Sequence, residues 1–379
     1  MGRTATRRSK KINVVYADHL KEIIDLRRWL SKYGWSNVTK LKLAKFPDTD
    51  RGVMSSKRFK KGDTIIAIPL DLMITYKTVS KGLTEILSLS DVSLEIHDLL
   101  TLFLVTERCK EQSLWSEYIN SLPQNSPPLP WLASPEELNS YPADLQIISE
   151  RKRKNLEESL YRTKRSIKKH PDCVLDEDLF KWGYVLVNTR AVYIHPDFVR
   201  ITNENMNDAL ADEPTMALCP FLDMFNHHFQ ALTESEVVYR EGQWFYQLKT
   251  LTGTNKYDQI FISYGAHDNI KLLMEYGFFL ADNKLDTVKF GLEEVLKIAG
   301  VNVDSRQYKF IKDHNFDNSE DLYIGYEGIS FNLKAVLFVI CNAEVKNFNY
   351  VVFGNFPDDF LKYLPQYTKK LLFYKKSSF

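Results

Sequence analysis

Apolar residues recur at helical spacing from Tyr16, with Leu20, Ile23, Ile24 and Leu30 on one face, and Gly34 stands where a left-handed residue would end the helix. The period then changes. Leu41 and Leu43 alternate with Lys40 and Lys42, G-V-M-S-S follows, and residues 64–68 run apolar up to Pro69. This pattern predicts successive strands with turns at Asp50-Arg51-Gly52 and Lys61-Gly62-Asp63. Residues 92–109 are apolar-rich and too long for a strand, so a buried helix is expected. Pro123, Pro127, Pro128 and Pro130 mark an irregular connector. Residues 149–169 are helical with charge on most faces, either solvated or guiding an acidic partner. Asp176 is placed to cap a helix carrying Leu179, Trp182, Val185 and Leu186. Three more strands are expected at 237–239, 244–248 and 259–263, and then Asp268 caps a short helix through Glu275 that Gly277 ends. Helical stretches at 333–341 and 360–372 close the chain. Two strand-rich parts therefore flank a helical stretch at roughly 90–195, and the class is α+β.

With 379 residues and 44% hydrophobic positions the chain can bury a real core and form two or three domains. Its 50 basic and 49 acidic residues nearly cancel, so no global field favours nucleic acid. The first fifteen residues, with Arg3, Arg7, Arg8, Lys10 and Lys11, read as a disordered basic tail, solvated or serving as a weak nuclear-import signal. Cys109, Cys173, Cys219 and Cys341 are scattered without a C-x-x-C pair, which fits a reducing compartment and argues against a structural zinc site. No apolar run approaches the roughly 18 residues that span a bilayer. A soluble, monomeric protein of the cytoplasm or nucleus is expected, with no membrane or nucleic-acid partner.

Two segments forty residues apart bear on the chemistry. They are F-L-D-M-F-N-H-H at residues 221–228 and F-I-S-Y-G-A-H-D-N-I-K-L-L-M-E-Y-G-F-F at 261–279. The pair resembles the signature of SET-domain protein methyltransferases, in the class of the Rubisco large-subunit methyltransferase and closest to the SET domain-containing protein four type. The resemblance runs from about residue 40 to about 290, and D-R-G-V-M-S-S-K-R-F-K-K-G-D-T-I at 50–65 resembles the opening strands of that fold. It implies a SET fold whose first part (16–89) and second part (196–292) are separated by a helical insert (90–195), with a helical substrate-binding region at 293–379.

The resemblance also implies S-adenosyl-L-methionine as cofactor and a lysine-containing segment of a histone or other protein as partner. Tyr264 corresponds to the family's active-site tyrosine, and Tyr276 would stand near the amine. Asn226 and His227 resemble the cofactor-binding dipeptide, Arg190 in V-N-T-R-A-V an arginine approaching the donor's carboxylate, and Phe278 a wall near the adenine. Arg51, Gly52, Val53 and Met54 would carry the main chain that meets the cofactor, although Asp50 and Arg51 stand where the family has a second glycine or small residue. Asp223 either caps its turn or contacts substrate, and Val192 suits an aliphatic lysine stem. His227, His228 and His267 lack a carboxylate-rich ligand spacing, so no metal is expected. An unperturbed phenol pKa near 10 leaves open whether Tyr264 accepts a proton or only orients the amine. Histidine methylation, or a catalytically silent SET fold used for binding, are the alternatives.

Overall fold

The computed structural model describes residues 15–170, 174–201 and 209–377. The basic tail and Cys173 lie outside them. The chain divides into two compact units, Met1–Gly265 with Leu272–Phe278, and Ala266–Lys271 with Phe279–Phe379. The boundary expected at 292/293 falls inside the second of these.

The first unit begins with β1 (Val15–Tyr16), which pairs with β2 (Leu41–Phe46) and so starts the expected first helix later, at Lys21–Lys32. That helix buries Ile23, Leu26, Trp29 and Leu30, and Gly34 follows it at φ +99°. β2 runs antiparallel to β3 (Asp50–Ser55), with Phe46 opposite Asp50. The turn is therefore Pro47-Asp48-Thr49, and Arg51 and Gly52 lie within a strand instead of a turn. Proline and aspartate supply the turn chemistry one step earlier, while Asp50 itself takes φ +52°, a left-handed position that Asp tolerates. β4 (Thr64–Pro69) is reached through the expected Gly62 turn at φ +89°.

Two-residue strands β5 (Val192–Tyr193) and β6 (Met216–Ala217) pair with each other, and β7 (Asn226–His227) follows. β8 (Thr233–Arg240) and β9 (Gln243–Thr250) form a hairpin that extends through β4 into a three-stranded sheet. β10 (Gln259–Ile262) lies antiparallel to β3 and parallel to β7, completing a five-stranded sheet in the order β1-β2-β3-β10-β7.

Between β4 and β5 the chain is helical, as expected. Helix Ile96–Cys109 is buried over most of its length and starts in a capping box made by Glu95 and Asp98. It packs on helix Glu177–Arg190, whose start is capped by Asp176 Oδ1 accepting from Leu179 N at 2.7 Å. The basic side chains of the long helix Ala143–Ile167 are largely used within the unit: Lys152 pairs with Glu275 at 2.6 Å, Arg162 with Asp98 at 2.9 Å, and Lys164 with Glu177. Arg153 donates to the carbonyl of Trp131 at 2.8 Å and to that of Ala133. This pairing favours a structural over a partner-guiding role for that charge.

In the second unit, helix Phe331–Cys341 is buried at Leu333 and from Ala335 to Ile340, with Phe338 packed edge-on against Phe348 and Phe360. Helix Asp358–Ser377 matches the last expected helix. A three-stranded sheet of Thr287–Lys289, Tyr323–Gly325 and Gly328–Ile329 adds to the helices expected there.

Candidate active site

The turn at residues 221–228 is shaped before any ligand is considered. Phe221 is buried at φ +70°, a conformation that costs a bulky residue on the order of 1–3 kcal/mol and persists only where its surroundings enforce it. A single 3₁₀ turn, Leu222–Met224, then points Asp223 inward. Its side chain is 0% exposed. Tyr118 Oη donates to Asp223 Oδ2 at 3.0 Å, and Arg190 Nη1 donates to Asp223 O at 2.9 Å and to Oδ2 at 3.1 Å.

Parallel pairing of β7 with β10 sets Asn226 opposite Phe261 and His227 opposite Ile262, which brings Tyr264, two residues beyond β10, back over the turn. Its main-chain N–H donates to His227 Nδ1 at 3.1 Å, and its hydroxyl donates to the Phe225 carbonyl at 2.6 Å. Both ends of this tyrosine are thus held by the Asn-His segment. Tyr276 stacks at a tilt against it, ring centroids 4.9 Å apart, and Phe278 lies 6.2 Å beyond Tyr276. Helix Asn269–Tyr276 is tied to the helical insert near its end, where Asn188 Nδ2 donates to Glu275 O at 2.8 Å and Trp131 Nε1 to Met274 O at 2.8 Å. Gly277 follows at φ +79° and packs so closely on Pro127 that a Cβ there would lie 3.0 Å from the proline Cβ.

Two cavities meet at these residues. One, of about 260 Å³, is lined by Arg51, Trp182, Met224, Asn226 and Phe278; the other, of about 190 Å³, by Val192, Phe225, Tyr246, Leu248 and Ile262. Thr189, Arg190, Asp223, Tyr264 and Tyr276 line both. The two phenols and the buried carboxylate therefore stand where the cavities adjoin.

Burial governs the electrostatics. It raises the Tyr264 phenol well above its usual range and pushes Tyr276 up to about 12, helped by the neighbouring Glu275 charge. Arg51 is held below its ordinary value, first by burial and then by the Arg190 charge. Asp223 Oδ1 is buried without a hydrogen-bond partner among the described residues, an acceptor that a bound amine or ammonium would satisfy. No group of three or more His, Cys, Asp or Glu is arranged to hold a metal ion among the described residues.

Most of the expected site converges here: Tyr264, Tyr276, Arg190, Asn226, Phe278, Asp223, Val192 and Arg51 all line one cavity or both. Val53 and Met54 do not. Successive strand residues face opposite sides, so Val53 enters the main core and Met54 a small cluster with Ala44 and Phe46. His227 lines neither cavity; it is 3% exposed and acts on Tyr264 from behind. Gly52 serves close approach, but of side chains: a Cβ would lie 2.5 Å from Gln259 Nε2 and 2.9 Å from Asn226 Nδ2. Asn226 Nδ2 reaches past it to donate to Arg51 O at 3.0 Å. This leaves the amide with an acceptor and a second N–H. Tyr118, Ser121, Tyr246 and Gln259 belong to the site's framework without having been identified from sequence, because only tertiary pairing brings them near.

The donor-side cavity suits the expected methyl donor on this structure's own features. It combines an amide with spare hydrogen-bonding capacity at Asn226, an aromatic face at Phe278, and the guanidinium groups of Arg51 and Arg190 with the buried Asp223 carboxylate.

Comparison with known proteins agrees with this arrangement. The SET-domain family pattern matches residues 50–265. "SET domain-containing protein 4" of Mus musculus is 31% identical over 360 residues, covering 89% of this chain and 77% of that one. More distant relatives carry two chemistries in their names: "Ribosomal lysine N-methyltransferase set11" of Schizosaccharomyces pombe (26% over 310 residues; 80% and 71%) and "Actin-histidine N-methyltransferase" of Dasypus novemcinctus (24% over 299 residues; 76% and 48%). Among solved structures, the SET domain of LSMT bound to lysine and AdoHcy superposes with a TM-score of 0.62 at 19% identity, over 84% of this chain and 70% of that one. The chain belongs to the SET-domain methyltransferase family, in the class that includes SET domain-containing protein 4 and the Rubisco large-subunit methyltransferase.

Proposed function

We propose that this chain is an S-adenosylmethionine-dependent protein-lysine N-methyltransferase. The observation that carries the reading is the pair of cavities sharing Tyr264 and Tyr276, one lined by Arg51 and Asn226, the other by Val192, Leu248 and Ile262. The donor, when bound, supplies an electrophilic methyl group on a sulfonium. The protein's task is then to align the accepting nitrogen and keep water out.

Tyr264 orients and is not a base. Its proton is committed to the Phe225 carbonyl and its pKa lies above the usual phenol range, so at neutral pH it offers lone pairs to an amine N–H without taking a proton. A free lysine has a pKa of about 10.4, and near pH 7.4 its deprotonation costs roughly 4 kcal/mol. Val192, Leu248 and Ile262 desolvate the ammonium, and the positive charges of Arg190 and Arg51 oppose another cation. Both effects lower that cost, and the proton leaves to water as the amine enters. The same three apolar side chains suit a methylene stem.

The test is incubation of the protein and of Tyr264→Phe with methyl-labelled donor and a lysate of the source cells, followed by hydrolysis to amino acids. Label in methyl-lysine that falls sharply in the variant is expected. Label in methylhistidine alone would replace lysine by histidine as the acceptor, and absence of both transfer and donor binding would leave a silent binding module.

A further inference from the structure

The β8–β9 hairpin separates its charges by face. Pairing of Val237 with Tyr246 and of Tyr239 with Trp244 puts the odd positions of β8 and the even positions of β9 on one side. The other side holds Glu234, Glu236, Arg240 and Lys249, where Glu236 pairs with Lys249 and the Arg240 guanidinium lies 4.6 Å from the centre of the Phe245 ring. The first side carries no charged residue. Its inner part is a wall of the Val192 cavity, which Thr233, Ser235, Tyr246 and Leu248 line. Its outer part meets solvent, with Tyr239 60% exposed and Trp244 44%. Their rings tilt against each other with centroids 5.1 Å apart, and Phe198 meets Trp244 edge-on at 5.5 Å. Beside Phe198 the charges are met locally, Arg200 by Glu213 at 2.7 Å and Asp197 by His195 at 3.5 Å. A cross-strand brace explains why Tyr239 and Trp244 touch. A third ring added to them, on a charge-free face continuous with the acceptor side of the site, is the exposed apolar surface of an interaction site.

We infer that the shelf made by Phe198, Tyr239 and Trp244 binds a large apolar side chain of the protein segment that carries the acceptor, and so selects lysines with such a neighbour. This rests on the lysine-methyltransferase reading above and deepens it. Leu248, Tyr246 and Trp244 follow one another along β9 at steps of roughly 7 Å. An extended segment presents alternate side chains at the same step, so an acceptor entering beside Tyr246 brings a residue two positions away to Trp244. Aromatic rings give that residue a large contact area with few rotamers to freeze. A charged residue there would lose water and gain no partner.

Synthetic peptides with one central lysine in a Gly-Ser background, each flanking position holding in turn Phe, Leu, Ala, Asp or Arg, test this with the full chain and methyl-labelled donor. In the parent protein, Phe or Leu two positions from the acceptor on one side should raise kcat/KM at least tenfold over Ala. Trp244→Ala and Tyr239→Ala should each cut that preference to about twofold, with the loss in KM and not in kcat. Trp244→Arg should turn the preference toward Asp, a gain that a weakened hairpin cannot produce, and it serves if the alanine variants do not fold. Equal rates for all flanking residues, a parent preference for Asp or Arg, or an apolar preference undiminished in the folded variants overturns the shelf and leaves the lysine reading intact. The same peptides built around a central histidine separate the two claims. An apolar preference found there alone keeps the shelf and overturns lysine as the acceptor, and transfer to neither set overturns both.

Discussion

Tyr264 shows how one residue can be committed at both ends and still serve a reaction. His227 holds its amide and the Phe225 carbonyl its hydroxyl proton, so the ring cannot swing and the oxygen's lone pairs have a fixed direction. Replacing Tyr264 by Phe should therefore lower kcat by about a hundredfold, the scale expected when a reacting group loses its alignment, while donor affinity stays within about twofold. Rapid-quench kinetics alongside donor titration checks both halves. The pH dependence carries a second expectation. Tyr276 is pushed up to about 12 and Tyr264 beyond the ordinary phenol range, so neither ionises between pH 6 and 10, and the rise of kcat/KM with pH reports the acceptor amine losing its proton. The Tyr264→Phe variant should keep that limb at the same pH at reduced height. A limb that vanishes with the hydroxyl would mean the phenol titrates. At this scale Tyr264, Asn226 and Arg190 were legible as residue types in a recognisable order, but the sharing of Asp223 between Tyr118 and Arg190 was not, since only tertiary pairing brings Tyr118 to it.

Among the elements, β3 and the turn before β7 decide whether the donor side exists at all. A methyl group on Gly52 would meet three side chains, the ends of Gln259 and Asn226 and the ring of Phe46, and no main chain. Gly52→Ala should accordingly leave the melting temperature within a few degrees while weakening donor binding about tenfold by displacing the Asn226 amide; differential scanning fluorimetry with titration separates the two. The helical insert is anchored differently. Asp98 is 1% exposed and is held by Arg162, Ser159 and the start of its own helix. Arg162→Met strands that carboxylate and should cost about 3 kcal/mol in denaturant unfolding, the usual scale for a buried pair broken at one partner. Asp98→Ala, which leaves the half-exposed arginine beside Glu95, should cost less. The longer elements were readable because their periods are: the β8–β9 hairpin and helix Ile96–Cys109 sit where alternation and apolar density placed them. Strands of two or three residues, such as β5 and β6, leave no period to read. The β2–β3 turn was displaced because Asp50-Arg51-Gly52 looks like a turn, yet Pro47 and Asp48 had already made it.

For the molecule as a whole, several buried phenols impose a common alkaline limit. Tyr184, Tyr246 and Tyr276 are raised to about 12 from a model-compound value of 10.0, and Tyr118 and Tyr264 are raised as well, in each case mainly by burial. A group that binds its proton more tightly when folded contributes stability that is complete below its unfolded pKa and is lost as pH rises toward the folded one. Stability should therefore hold up to about pH 10 and fall steeply between 10 and 12, with phenolate absorbance appearing together with loss of ellipticity. The split of the strand-rich core by a helical insert was visible from composition and period together. The limits of the second unit were not, because the chain passes between the units after Gly265, again after Lys271 inside a short helix, and again after Phe278, where no change of pattern marks it. Central to all of this is the claim that donor and acceptor approach Tyr264 from two adjoining cavities. A crystal structure with sinefungin, whose amine stands where the donor carries its methyl, tests it most directly. The account predicts the ligand in the cavity lined by Arg51, Asn226 and Phe278, with the amine roughly 3 Å from the Tyr264 oxygen and directed toward the Val192 cavity; a ligand seated on the Val192 side, or an amine out of reach of Tyr264, would contradict it.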